Sequence, residues 1–250
     1  METSVELDDF DQTPMTFSDR TRDVLVAKTG GRPVIVMHEL FGLTPTVVTF
    51  ARLLNAEGFK IYMPVLFGRS NPNDTKWLGA MPCVAYEFRV LTNNGPGPWA
   101  DWIRDLASRA FKENPGGKGV GVIGLCLTGN LALSAAMNPH VTAPVMSEPS
   151  LPLCRAGGLH VSPEELAAVQ MRVAKEELVI RGYRFQLDRL CKQASFDELD
   201  KAFGNGFQGT TIPTNNKKLH SVFTEHLYDA NNQFRHGELQ TLISFLQARI

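Results

Sequence analysis

Cys126 stands where a reactive thiol could do acyl-transfer chemistry. Gly119-Val120-Gly121-Val122-Ile123 is a short apolar run of the kind that forms a buried strand. Gly124-Leu125-Cys126-Leu127-Thr128-Gly129 follows at once and leads into the small-residue start of a helix. A strand, a sharp turn and a helix with one reactive side chain at the apex describe a nucleophile elbow. Such a turn lifts the nucleophile above the sheet, where nearby backbone N–H groups can hold an oxyanion. The thiolate is the attacking species, so a base must take its proton and a third group must orient that base.

In an elbow of this kind the acid and then the histidine follow the nucleophile along the chain. Asp188 and Asp197 are the carboxylates to weigh. Asp188 lies just beyond an apolar run, whereas Asp197 sits in what reads as the first turn of a helix, where a negative charge has its own use. His220, His226 and His236 compete for the base. His220 is preferred because it follows the polar stretch 213–218 and so falls in a loop, with His226 as the main rival. Glu39 is an unusual extra at the end of another apolar run. A carboxylate beside a thiol opposes a second negative charge and can hold the proton.

These residues need a scaffold, and the chain supplies one by alternation. Pro33–Met37, Lys60–Pro64, 119–123, Ala143–Met146 and Glu177–Ile180 read as strands, several of them apolar throughout as in a sheet covered on both faces. Helical spacing fills the gaps: Val47, Phe50, Ala51 and Leu54 before Gly58, then Trp99, Trp102, Ile103, Leu106 and Ala110. Ser162-Pro163-Glu164-Glu165 reads as a capping box, and Leu239, Leu242, Ile243 and Leu246 as a terminal amphipathic helix. The two tryptophans read as core. Alternating strands and helices predict an α/β fold, a mostly parallel sheet with helices on both faces, whose ligands sit beyond the carboxyl ends of the strands. Residues 1–20 read as a polar N-terminal segment and 21–250 as one domain. Residues 65–97, rich in glycine, proline and asparagine, read as a long functional loop.

Bulk composition excludes several classes. Twenty-five Lys+Arg against 26 Asp+Glu, with no run of like charge, argues against nucleic acid or an anionic membrane as partner. No stretch of about 18 apolar residues is present to span a bilayer. The acidic start Met1-Glu2-Thr3-Ser4-Val5-Glu6-Leu7-Asp8-Asp9 has no apolar core and no signal-peptide character. The four cysteines (Cys83, Cys126, Cys154, Cys191) show no CxxC spacing, so neither a metal nor a redox motif is expected, and a reducing cytoplasm is the default. No cofactor is called for. The expected partner is a small-molecule substrate, on a monomer or weak homo-oligomer.

The set His38-Glu39-Leu40-Phe41-Gly42, the cysteine elbow 124–129, Asp188 after a late strand and His220-Ser221 resembles the dienelactone hydrolase family, over roughly residues 20–250. The resemblance implies an α/β-hydrolase fold and hydrolysis of a carboxylic ester or lactone through a cysteine acyl-enzyme. It implies Cys126 as nucleophile, His220 as base, Asp188 as orienting acid, and Glu39 as the group that helps form the thiolate when substrate arrives. The oxyanion hole would be the backbone N–H groups of Leu40 and Leu127. Two departures stand out. Thr128 occupies the place where the elbow usually has glycine, with Gly129 one residue later. Thr224 occupies the place, four residues after the histidine, of one of two arginines that clamp a substrate carboxylate, with Arg89 available to stand in for the other. Losing a bidentate clamp weakens recognition of an anionic lactone. Two other readings of the fold are a reactive-thiol redox or ligand-binding protein and a non-catalytic module.

Overall fold

The computed structural model describes residues 5–68, 70–73, 97–150, 159–228, 234 and 236–250. An eight-stranded sheet runs through it, comprising β1 (Phe10–Phe17), β2 (Arg20–Ala27), β3 (Arg32–Met37), β4 (Phe59–Pro64), β5 (Val120–Leu125), β6 (Val141–Ser147), β7 (Ile180–Phe185) and β8 (Phe207–Ile212). Their spatial order is β1-β2-β4-β3-β5-β6-β7-β8. The β1–β2 and β2–β4 pairs are antiparallel, and every pair from β4 through β3 to β8 is parallel. Ser18 and Asp19 both take positive φ, as the two-residue hairpin turns that match strand twist require.

The helices are α1 (Pro45–Ala56), α2 (Pro98–Glu113), α3 (Gly129–Ala135), α4 (Pro163–Glu176), α5 (Gln193–Phe203) and α6 (His236–Arg249). Thr44 caps α1 through its side-chain oxygen on the Val47 N–H, Pro45 opens the first turn, and Gly58 follows the helix with φ +87°. Ser162 and Glu165 exchange the two hydrogen bonds of the expected capping box at the start of α4. Trp99, Trp102 and Leu106 of α2 pack with Leu131 of α3, Val169 of α4 and Phe196 of α5 on one face of the sheet. On the other face, Val47, Phe50 and Leu54 of α1 meet Leu242, Ile243 and Leu246 of α6. Strands sandwiched in this way have no wet face, which is why β3 and β5 read as continuous apolar runs. No described helix is long and apolar enough to cross a membrane.

The structure differs from the sequence expectation at several elements. Residues 10–17, assigned to the polar N-terminal segment, form β1; β2 and β8 were not foreseen, and the strand expected at Glu177–Ile180 runs as β7 from Ile180 to Phe185. The edge strands β1 and β8 have mixed exposed and buried positions, so neither carries an apolar run. Asp197 lies in the second turn of α5 rather than the first and accepts from Gln193 Nε2 at 3.0 Å. Most of the expected loop 65–97 lies outside the described residues.

Arg172, buried on α4, ties the sheet to the short helix behind the elbow. Its Nη1 donates to the carbonyls of Ala136, Asn138 and Val141 at 2.7–2.8 Å, its Nη2 to Pro139, and its Nε to Glu176. These carbonyls lie in the segment from the end of α3 to the start of β6. Arg172→Met keeps the volume and deletes every donor, stranding several buried acceptors. We expect a loss of about 3 kcal/mol or more, read as a lower urea midpoint at unchanged slope.

Candidate active site

The topology brings the carboxyl ends of β3, β5, β6, β7 and β8 to one edge of the sheet. Cys126 leaves β5 with φ +53°, a left-handed backbone that non-glycine residues adopt at a cost. Two glycines make the turn possible. A Cβ on Gly124 would sit 2.1 Å from the Thr128 carbonyl oxygen, and one on Gly129 would sit 2.8 Å from Pro149. Gly129 therefore supplies the close approach that the usual glycine two places after the nucleophile would give.

Thr128 has a use of its own. Its hydroxyl accepts from the Leu125 N–H at 2.9 Å and lies 3.0–3.1 Å from the carbonyl oxygens of Leu125, Met37 and His38, which share its single proton. The elbow is thereby stitched to the end of β3, the segment that carries Glu39 and Leu40. His38 completes that attachment. Its Nε2 accepts from the Leu66 N–H at 3.0 Å, which leaves Nδ1 to donate to the Glu39 carbonyl at 2.8 Å. Burial pushes the His38 pKa down to about 4, so it is a neutral strut between β3 and β4.

His220 and Asp188 meet. His220 Nδ1 and Asp188 Oδ2 are 2.7 Å apart, and Asp188 Oδ1 accepts from the backbone N–H groups of Leu190 and Cys191. Burial works against a charged His220 ring, but Asp188 and then the Cys126 thiol outweigh it and push its pKa up to about 11. His220 Nε2 is buried and has no conventional hydrogen-bond partner. His226, the rival, instead accepts the His220 backbone N–H on its Nδ1 at 3.3 Å. It supports the loop and is not brought to Asp188. His236 is the first residue of α6.

Glu39 points inward. It is buried, and its Oε1 accepts from Thr224 Oγ1 at 2.6 Å. Burial pushes its carboxyl up, against the hydrogen bonds of Thr224 and Ser221 and the charge of His220. The Cys126 sulfur lies 3.2 Å from Ser150 Oγ. Leu40 follows Glu39 in the loop after β3, and Leu127 follows Cys126 in the turn after β5, and these two strands are parallel neighbours. Arg89, Cys83 and Cys154 lie outside the described residues. Cys191 is buried, and burial raises its thiol further from reactivity. Among the described residues no group of three or more His, Cys, Asp and Glu side chains is placed to hold a metal.

Two site residues escaped the sequence reading. Glu148, at the end of β6, is fully buried with φ +36°. Its Oε2 accepts from Ser147 Oγ and from the Val222 N–H at 3.1 Å, while Oε1 has no partner. Burial pushes its pKa to about 8, against the charge of His220. Ser150 is the other. The signal was present, because Glu148-Pro149-Ser150 follows an apolar run at a carboxyl end, where ligands gather. The arrangement as a whole can deprotonate a thiol, hold a tetrahedral oxyanion and return a proton to a leaving group.

Comparison with solved structures finds the same architecture. A candidate dienelactone hydrolase of Klebsiella pneumoniae superposes with a TM-score of 0.67 at 16% identity, covering 95% of this chain and 98% of its own. A dienelactone hydrolase-like promiscuous phosphotriesterase, P91, from metagenomic libraries gives 0.67 at 17% identity, with coverage of 96% and 98%. A cold-adapted esterase from an Arctic intertidal metagenomic library gives 0.59 at 13%, with coverage of 100% and 99%. At these identities the likeness is one of fold. No curated protein matches the sequence. The family model named dienelactone hydrolase family matches residues 23–203, most of the chain and including the elbow and Asp188. The chain therefore belongs to the dienelactone hydrolase family and is an ester-bond hydrolase.

Proposed function

We propose that the protein hydrolyses a carboxylic ester or lactone through an acyl-enzyme on Cys126. The observation that carries this reading is the His220–Asp188 pair, whose ring also interacts with the Cys126 thiol on its left-handed elbow. His220 Nε2 takes the thiol proton and, its pKa raised by Asp188 and Cys126, holds it as imidazolium beside the thiolate, which attacks the ester carbonyl carbon. The tetrahedral oxyanion is held by the N–H groups of Leu40 and Leu127. As the carbon–oxygen bond breaks, His220 returns the proton to the departing alkoxide and leaves a thioester. His220 then takes a proton from water, which attacks the thioester, and the thiolate departs. Asp188 orients the ring throughout. Glu39 helps form the thiolate from the end of β3, its carboxyl subject to the charge of His220 and its hydrogen bond to Thr224 made in the resting enzyme.

The substrate is a neutral ester or lactone. Thr224, at the place of a clamping arginine, is committed to Glu39 and offers no positive charge to a substrate carboxylate. Incubation with a slowly deacylating aryl ester tests the reading. The protein mass should rise by one acyl group, located on the peptide containing Cys126 and released by neutral hydroxylamine as a thioester is. A paired assay should show faster turnover of an uncharged ester than of the same ester carrying a carboxylate. Turnover with the acyl group on a serine or on another cysteine would overturn the assignment.

A further inference from the structure

We propose that Ser150 is a catalytic residue whose hydroxyl holds the Cys126 sulfur at rest and donates a hydrogen bond to it once it becomes thiolate. This rests on the reading of Cys126 as nucleophile. Ser150 Oγ lies 3.2 Å from Cys126 Sγ, and the Ser150 N–H donates to the Cys126 carbonyl at 3.1 Å. Two bonds therefore join the β6 end to the elbow residue, one through its backbone and one through its reactive atom. Ser150 and Cys126 are both nearly closed to solvent, so no bulk water substitutes freely for the hydroxyl.

The chain goes to some expense to put the hydroxyl there. Glu148 adopts the left-handed φ of +36°, which non-glycine residues avoid unless their surroundings enforce it. Pro149 then packs against Gly129, where even a methyl would collide with it, and Ser150 arrives over the sulfur. The Glu148 backbone N–H is fastened to the Tyr183 carbonyl at 2.7 Å. The segment is thus set by β6, β7 and α3, and the Val222 N–H of the His220 loop adds a further tie to the Glu148 carboxyl.

The chemistry follows from what each atom can offer. A neutral thiol and a hydroxyl can each donate to the other, so the resting pair is satisfied in either sense. When the proton moves from sulfur to His220 Nε2, the thiolate has no donor left and Ser150 O–H becomes its hydrogen-bond donor. No proton leaves the serine. A hydrogen bond to the charged form favours that form. The same bond serves the thiolate when the carbon–sulfur bond breaks in deacylation. Other groups bear on this titration: Glu39 from the end of β3, Glu148 from β6, Asp188 after β7 and His220 after β8. Ser150 differs from all four in carrying no charge.

The test reads the thiol itself. Iodoacetamide alkylation of Cys126, followed by mass spectrometry across pH, gives the midpoint of thiolate formation without any ester turnover. Ser150→Ala should raise that midpoint by about one pH unit and slow uncharged-ester turnover about tenfold at neutral pH. Should the alanine variant fail to fold, Ser150→Gly makes the same comparison, since it too removes the hydroxyl and keeps the N–H. A midpoint equal to that of the wild type overturns the proposal. Absence of ester turnover in the wild type would instead sink the nucleophile reading and leave the alkylation result to be judged separately.

Discussion

Cys126→Ala should lower kcat/KM for a small uncharged aryl ester by roughly three orders of magnitude or more, while Cys83→Ala keeps wild-type turnover. The size follows from covalent catalysis, because without sulfur there is no acyl-enzyme and His220 has no proton to accept from a nucleophile. His220→Asn should cost a similar amount, since the thiol then lacks a base within the site. The double variant should be no worse than either single one, because residues acting as one device are not additive. Rates from stopped-assay spectrophotometry, with circular dichroism to check folding, decide it. Equal turnover by Cys126→Ala and the wild type would end the acyl-enzyme reading.

Glu148→Gln should stabilise the fold above pH 8 and do less as the pH falls. The Glu148 carboxyl is pushed up to about 8 in the folded chain against an ordinary value of 4.5. Between those two values the folded state holds a proton that the unfolded chain has released. Its contribution is thus complete below pH 4.5 and is lost as pH rises through 8. Glutamine keeps an oxygen for Ser147 and the Val222 N–H yet never has to ionise in a buried place. The gain at pH 9 should be on the order of a few kcal/mol, seen as a higher Tm, and should shrink steadily toward pH 5. Parallel Tm curves for the two proteins across that range would show that Glu148 ionises freely in the fold.

Much of the scaffold could be read from the chain because burial leaves a periodic trace. Strands covered on both faces, such as β3 and β5, are apolar throughout, and helices α1, α2 and α6 show their buried stripes in spacing. The edge strands β1 and β8 mix exposed and buried residues, so their pairing is decided by neighbours far away in sequence. The site divides in the same way. Glu39, Cys126, Asp188 and His220 each close an element or a loop with a recognisable pattern, and the fold brings His220 to Asp188. His220 was preferred over His226 because it follows the polar stretch 213–218, but the loop conformation that brings it to Asp188 is encoded by no local spacing. Thr128 was read as a missing glycine, yet its hydroxyl bonds to β3 across about ninety residues of chain. Ser150 and Glu148 depend on a positive φ at Glu148, a local geometry that only tertiary packing selects.

The loop bearing His220 has a consequence for how the protein acquires its activity. It is pinned by Asp188 from β7, Glu148 from β6 and Glu39 from β3, with the last contact spanning 185 residues of chain. Contacts of such sequence separation close late, because the loop entropy must be met before they reward it. A folding intermediate with a finished central sheet would carry a cysteine elbow and no base. Regain of turnover on refolding is therefore a reporter of the last long-range closure rather than of sheet formation, and truncation before residue 220 leaves a thiol with nothing to activate it.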